Sequence, residues 1–183
     1  MYGGGEMDKK VVFFDFANLN YGGGCEKNFM KFGNWLSKKG YDVSFVTGSH
    51  EFNKWLTKII GSDDYKKNIS DQDLKKIFGV KDYLKFDLVD LLFPTKNTRQ
   101  IKRTLKEADV IVSKNEIFDI IPLKFLFFAK PKKIIFGFHT PIYYPITRNF
   151  KSKFHNWLYN SFLYHLLISN SKNRLLVLTN NDK

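Results

Sequence analysis

A short apolar run, a glycine triplet and a helical pattern follow one another near the start of this chain, and that order restricts the fold more than any other feature. Residues 11–16 read VVFFDF, the triplet is Gly22, Gly23 and Gly24, and the helical pattern begins near Cys25. The order predicts a β-strand, a tight turn and a helix N-terminus. In an open α/β sheet such a turn lies at the carboxyl end of the strand, where ligands bind. Because glycine lets the backbone approach a ligand closely and free N–H groups at a helix start attract anions, we expect the functional site within residues 1–30.

Apolar segments alternate with helical patterns along the rest of the chain. The predicted strands are residues 11–16, 42–46, 86–92 (a short strand or extended segment), 108–112, 133–138 and 174–179. The predicted helices are residues 25–39, 98–107, 118–129 and 151–170, and the polar stretch 51–85 is predicted to be an excursion with short helical pieces. Continuously apolar strands are typical of parallel sheets covered on both faces. The prediction is one α/β domain over residues 1–183, a Rossmann-like parallel sheet with helices on both faces.

The chain is strongly basic, with a net charge of +12, and only four of its basic residues are arginines. Because lysine acts as a point charge and base reading favours arginine forks, nucleic acid is a disfavoured partner. Most of the charge is interpreted as solvated surface, and the rest favours an anionic membrane surface. A single cysteine, no secretory leader pattern and no apolar run of about 20 residues indicate a cytoplasmic protein. A peripheral position on the inner face of the membrane is the alternative interpretation.

The glycine triplet does not match the common phosphate-binding fingerprints. It lacks the spacing G-x-G-x-x-G and has no following Gly-Lys-Ser/Thr. Glu26 has two interpretations. Its carboxylate either compensates the helix dipole, or it fixes the loop or accepts a hydrogen bond from a sugar hydroxyl. No His, Cys or acidic cluster has zinc-like spacing, so we expect neither a metal nor a cofactor.

Several segments together resemble the N-terminal domain of family 4 glycosyltransferases. Residues 20–27 (NYGGGCEK) are similar to that family's Gly-Gly-Ala-Glu-Lys/Arg loop, with Cys25 where a small Ala or Val is common. Residues 40–43 and 108–112 are similar to two of its strand entries, and residues 137–141 (GFHTP) to its later strand-to-histidine segment. The similarity extends over residues 11–179, and the glycine loop and the histidine segment are its most specific parts.

The resemblance implies the N-terminal half of a GT-B fold, in which two Rossmann-like domains face a cleft. It implies retaining transfer of a sugar from a nucleotide-sugar donor to a glycan or lipid-linked acceptor. Its donor- or acceptor-binding residues would be Gly22, Gly23, Gly24, Glu26 and Thr140. His139 would be catalytic, near the transferred sugar; without the resemblance it reads as an ordinary histidine at a strand end.

The C-terminal donor-binding domain is expected to be absent from these residues and could be encoded separately. The isolated chain is therefore expected to have little or no transferase activity. An alternative from another class is a non-catalytic basic α/β module that binds nucleic acid or an anionic membrane. A nucleotide-binding enzyme of another Rossmann type is a third reading, against which the missing phosphate fingerprints weigh.

Overall fold

The structure is a computed structural model, and it describes residues 9–17, 19, 24–60, 70, 72, 82–114, 116–129, 133–138, 153, 156–157, 160–161 and 174–177. Within these residues, six strands form one sheet: β1 (Lys10–Asp15), β2 (Asp42–Gly48), β3 (Asp82–Phe86), β4 (Val110–Ser113), β5 (Lys133–Phe138) and β6 (Arg174–Val177). Their order across the sheet is β3-β2-β1-β4-β5-β6, and all neighbours are parallel. This confirms the prediction of an α/β, Rossmann-like parallel sheet.

The described helices lie between consecutive strands from β1 to β5. They are α1 (Gly24–Lys38), α2 (His50–Ile60), α3 (Leu88–Leu92), α4 (Lys96–Glu107) and α5 (Glu116–Ile121), and a π-helical turn, Pro122–Leu126, extends α5. The chain builds outward from β1 to β3 and then returns to place β4 on the other side of β1. The order in which successive strands are added to the sheet therefore reverses between β1 and β4, which is the switch point of the sheet.

Both faces of β1 are buried, which explains why its sequence is continuously apolar rather than alternating. On one face Phe13 packs against Phe29 of α1, with ring centroids 4.8 Å apart. On the other face Phe14 belongs to a core that includes Ile101 and Leu105 of α4. Helices therefore cover the sheet on both sides, as expected.

The predicted bounds of the third strand are wrong. β3 spans Asp82–Phe86, and the segment predicted to be extended after Phe86 is instead the short helix α3. The helix begins there because the Asp90 carboxylate accepts a hydrogen bond from the backbone N–H of Asp87, at 3.0 Å. Burial alone would raise the pKa of Asp90, but hydrogen bonds from Thr95, Asp87 and Asn97 outweigh that effect and lower it.

The helix predicted over residues 118–129 changes type at Pro122. Proline has no N–H to donate and its ring clashes with the carbonyl four residues earlier, so the α-helical ladder cannot continue unchanged. The backbone N–H of Phe127 donates to the Pro122 carbonyl at 2.9 Å, which is the five-residue spacing of a π-turn. The predicted helix over residues 151–170 lies largely outside the described residues. Within the part of the chain that is described, no helix is long and apolar enough to cross a membrane.

Candidate functional site

The carboxyl ends of β1 and β4 lie side by side at the point where the strand order reverses. In open α/β sheets this switch point is where ligands bind. Gly24, the third residue of the glycine triplet, is the first residue of α1, the helix that follows β1. The backbone N–H groups of the first helical turn have no partners within the helix and carry a partial positive charge.

A buried lysine joins β4 to β1 at this point. Lys114 follows the last residue of β4, and its ammonium lies 2.9 Å from Oδ2 of Asp15, the last residue of β1. The same ammonium donates a hydrogen bond to Glu26 in the first turn of α1. Burial alone would lower the pKa of Lys114, but attraction to Asp15 and Glu26 outweighs it and raises the pKa above its usual value. The lysine is therefore charged, and we call Asp15, Glu26 and Lys114 the ion triad.

The ion triad fixes the start of α1 to the sheet. Glu26 stands two residues after Gly24, so its bond to Lys114 holds the end of the glycine triplet against β4. This contact accords with the loop-fixing reading of Glu26. A role for Glu26 in binding a sugar hydroxyl stays a prediction.

A second buried carboxylate, that of Asp119 in α5, positions the backbone that leaves β1. It accepts hydrogen bonds from the backbone N–H of Phe16 and from the Ser113 hydroxyl, both at 2.8 Å. The next backbone N–H, that of Ala17, donates to the Asp15 carboxylate at 3.1 Å. Two acidic side chains therefore set the path of the chain from β1 toward the glycine triplet.

The end of β2 also contacts the chain that leaves β1. The Thr47 hydroxyl accepts a hydrogen bond from the backbone N–H of Leu19 at 3.1 Å. A Cβ atom at Gly48 would lie 2.1 Å from the Ala17 carbonyl oxygen, so only glycine allows this close approach. The connection from β1 to α1 is thus held by β2, β4 and α5 together.

The ligand-binding role of Gly24 and Glu26 stays a prediction, and the sequence analysis did not identify the residues that position them. Asp15, Lys114 and Asp119 are charged residues inside otherwise apolar segments, and that was the available signal. Gly22, Gly23, His139 and Thr140 lie outside the described residues. His139 directly follows β5 in the sequence, and β5 ends at the same edge of the sheet as β1 because all the strands are parallel.

A cleft of about 250 Å³ lies at the opposite edge of the sheet. It is lined by residues at the starts of β1 and β2 and by α4, among them Lys10, Asp42 and Gln100. An ion pair between Lys10 and Glu107, with 2.7 Å between the Nζ and Oε2 atoms, lies at this cleft. Because parallel sheets place ligands at the carboxyl edge of their strands, the switch point is the stronger candidate. Over the described stretches, no group of three or more His, Cys, Asp or Glu side chains could hold a metal ion.

No protein-family model, curated protein or solved structure matches this chain. The resemblance to family 4 glycosyltransferases therefore rests on the sequence segments quoted above.

Proposed function

We propose that this chain is the N-terminal, acceptor-side half of a GT-B glycosyltransferase. The proposed reaction transfers a sugar from a nucleotide-sugar donor to a glycan or lipid-linked acceptor, with retention at the anomeric carbon. The observation that carries the proposal is the start of α1 at Gly24, where the glycine triplet enters a helix at the switch point of a parallel sheet. The similarity of residues 20–27 and 137–141 to the family's loop and histidine segments supports it.

The physical basis is anion binding at a helix N-terminus. Backbone N–H groups at the start of α1 and the helix dipole both favour a diphosphate. Glycines at this position leave room for phosphate oxygens to reach those N–H groups. Lys114 offsets one of the two carboxylate charges of Asp15 and Glu26, which lowers but does not remove their repulsion of an anionic ligand nearby.

In the proposed reaction the bond between the anomeric carbon and the diphosphate oxygen breaks, and the acceptor oxygen bonds to the same face of that carbon, so that the configuration is retained. The proton of the acceptor hydroxyl passes to the departing diphosphate. N–H groups fixed in advance stabilise the charge that develops on the departing diphosphate, and they do so without reorganising. His139, which follows β5 in the sequence, would donate to a hydroxyl of the transferred sugar or stabilise developing charge. No metal is invoked for any of these steps.

The nucleotide itself would be held by a second Rossmann-like domain, which the resemblance places C-terminal to this one. We propose that such a half, continuous or separately encoded, completes the cleft, and that these 183 residues alone bind ligand weakly without turning it over. Binding is therefore the appropriate first test, and release of nucleoside diphosphate by the isolated chain would contradict this part of the proposal.

The test is a calorimetric titration of the chain with UDP-, GDP- and ADP-sugars and with the corresponding nucleoside diphosphates. We expect at least one of them to bind, and we expect Gly24→Val to weaken that binding tenfold or more, because a side chain at the start of α1 would hinder phosphate oxygens from reaching the N–H groups there. Gly4→Val, in the other glycine triplet of the chain (Gly3 to Gly5), is the matched control and should bind as the parent does. Equal binding by both variants would contradict the site.

The same protein can test the non-catalytic alternative. Binding of RNA or DNA that weakens steeply with salt, together with no effect of any nucleotide sugar, would favour a basic binding module instead.

A further inference from the structure

We propose that one helical face of this protein binds anionic lipid bilayers. The surface consists of exposed apolar residues on either side of α4 and the cations of that helix: Leu92, Phe93, Phe128, Arg99, Lys102 and Lys106. We call it the aromatic–basic surface. The inference does not rest on the proposed transferase function, because it uses no residue of the glycine triplet or the ion triad.

The apolar members are unusually exposed. Leu92 and Phe128 are each 66% exposed and Phe93 is 60% exposed, which is among the highest values for large apolar residues in the described part of the chain. Phe125, in the π-helical turn, is also 60% exposed. Single exposed apolar residues are normal, but several together on one surface mark an interaction site.

Two contacts place the aromatic segments beside the same helix. The Thr98 hydroxyl lies 3.1 Å from the Phe93 carbonyl oxygen, to which it donates. The Lys102 ammonium lies 5.3 Å from the centre of the Phe128 ring. Thr98 lies in the first turn of α4 and Lys102 in the second. The Phe93 backbone is therefore held at the start of α4, and the Phe128 ring lies beside the next turn.

The charge of α4 complements an anionic surface. The helix carries five lysines or arginines and a single acidic residue, Glu107, which is paired with Arg103 and with Lys10. Arg99, Lys102 and Lys106 follow one another at intervals of three and four residues, and so they lie along one flank of the helix. The contact of Lys102 with Phe128 identifies that flank as the one beside the exposed ring.

The backbone conformation of Phe128 is an independent indication that its ring has a role outside the fold. Its φ of 51° lies in the left-handed region, and Phe128 is the one non-glycine residue with positive φ in the described part of the chain. A bulky side chain is disfavoured in that conformation, and the exposed ring contributes little burial to offset the strain. Strain of this kind, on a ring that faces solvent beside a cation, is consistent with a role outside the fold.

An anionic bilayer is the occupant that fits this combination. Aromatic and leucine side chains can enter the interface between headgroups and acyl chains, while lysine and arginine remain at the phosphates. Each cation near an anionic surface strengthens binding roughly fivefold. Loss of the three cations on one flank is therefore expected to weaken binding on the order of a hundredfold.

A second exposed aromatic pair, Phe32 and Trp35 of α1, allows a matched comparison. The two rings stack on each other with centroids 6.0 Å apart, and Phe32 also contacts the core ring of Phe13 at 5.7 Å. This pair lies on the other face of the sheet, where α1 packs, and part of its apolar surface is used within the fold. The helix that carries this pair, α1, therefore supplies the control lysines in the test.

The test is co-sedimentation of the full chain with vesicles of phosphatidylcholine alone or mixed with phosphatidylglycerol. We expect binding to the mixed vesicles only, a loss on the order of a hundredfold in the triple variant R99Q/K102Q/K106Q, and weaker binding by Phe128→Gly. The control variant K31Q/K38Q/K39Q removes the same charge from α1 and the residue that follows it, and should bind as the parent does.

Two results would overturn the proposal. One is equal loss in both triple variants, which would show that net charge alone attracts the chain. The other is absence of vesicle binding by the parent. A dimer detected by sedimentation velocity in such a protein would indicate that a second copy covers the surface. Phe128→Gly keeps the test informative because glycine suits the left-handed backbone and the variant should fold.

Discussion

At the scale of single residues, Lys114 is the side chain on which the candidate site most depends. It is 7% exposed, and its ammonium is the group that brings the carboxylates of Asp15 and Glu26 together. Its removal would leave two carboxylates buried side by side without a cation. The start of α1 would then lose its attachment to β4.

Lys114→Met is therefore expected to destabilise the protein by about 3–5 kcal/mol, the usual result of removing one partner from a buried ion pair. Urea denaturation followed by circular dichroism measures the change. Lys106→Met, on the exposed side of α4, is the matched control and should change stability by less than about 0.5 kcal/mol. A change of that small size in Lys114→Met would show that the ion triad does not hold α1 in place.

Phe128 is the residue whose backbone conformation conflicts with its side chain. Glycine at this position removes the strain, while alanine removes the ring and keeps the strain. We expect Phe128→Gly to be more stable than Phe128→Ala by about 1 kcal/mol, from the cost of a left-handed backbone for an L-residue. Thermal unfolding of the two variants checks the order, and a more stable alanine variant would contradict the assigned conformation.

At the scale of elements, an ion pair ties the start of β1 to the end of α4. Hydrogen bonds from Lys10 and Arg103 to Glu107 and attraction to both cations lower the pKa of Glu107 to about 2. A carboxyl whose pKa is lower in the folded state stabilises the fold fully above its unfolded pKa of 4.5, and this contribution is lost as the pH falls toward 2. The buried Asp90 acts in the same direction because its pKa is lowered too.

The melting temperature should therefore fall as the pH is lowered from about 5 to 2, and part of that fall should be absent in Glu107→Gln. Thermal scans across this pH range at low ionic strength measure it, since salt screens an exposed pair. A Glu107→Gln variant whose melting temperature has the same pH dependence as the parent's would show that this pair contributes nothing to the acid response.

Elements with a strong local signal could be predicted from the sequence. The apolar run that became β1 and the helix that ends before Gly40 were both expected, and Gly40 has the positive φ, 88°, that glycine readily adopts at a helix end. The change to a π-turn at Pro122 and the early end of β3 were missed. Both depend on particular hydrogen bonds, those of Phe127 and Asp90, that hydrophobic periodicity does not encode.

At the scale of the whole molecule, parallel pairing brings together residues that are far apart in the sequence. Asp15 and Lys114 are separated by 99 positions, yet they meet because β1 and β4 are neighbours in the sheet. A sequence can indicate that strands are parallel and buried. It does not indicate which two of them flank the switch point, and so the sequence points to the start of α1 but not to the contacts of Lys114 with Asp15 and Glu26.

The proposed function requires that the carboxyl edge between β1 and β4 binds the diphosphate of a nucleotide sugar. The most direct measurement is a set of ¹H–¹⁵N correlation spectra of the chain during titration with the best-binding nucleotide sugar of the calorimetric series. We predict that the amide signals of Gly24, Glu26 and Lys114 shift with ligand while those of Gln100 and Thr104, at the opposite edge, do not. Shifts confined to the cleft at Gln100 and Thr104, with the start of α1 unchanged, would contradict ligand binding at this edge.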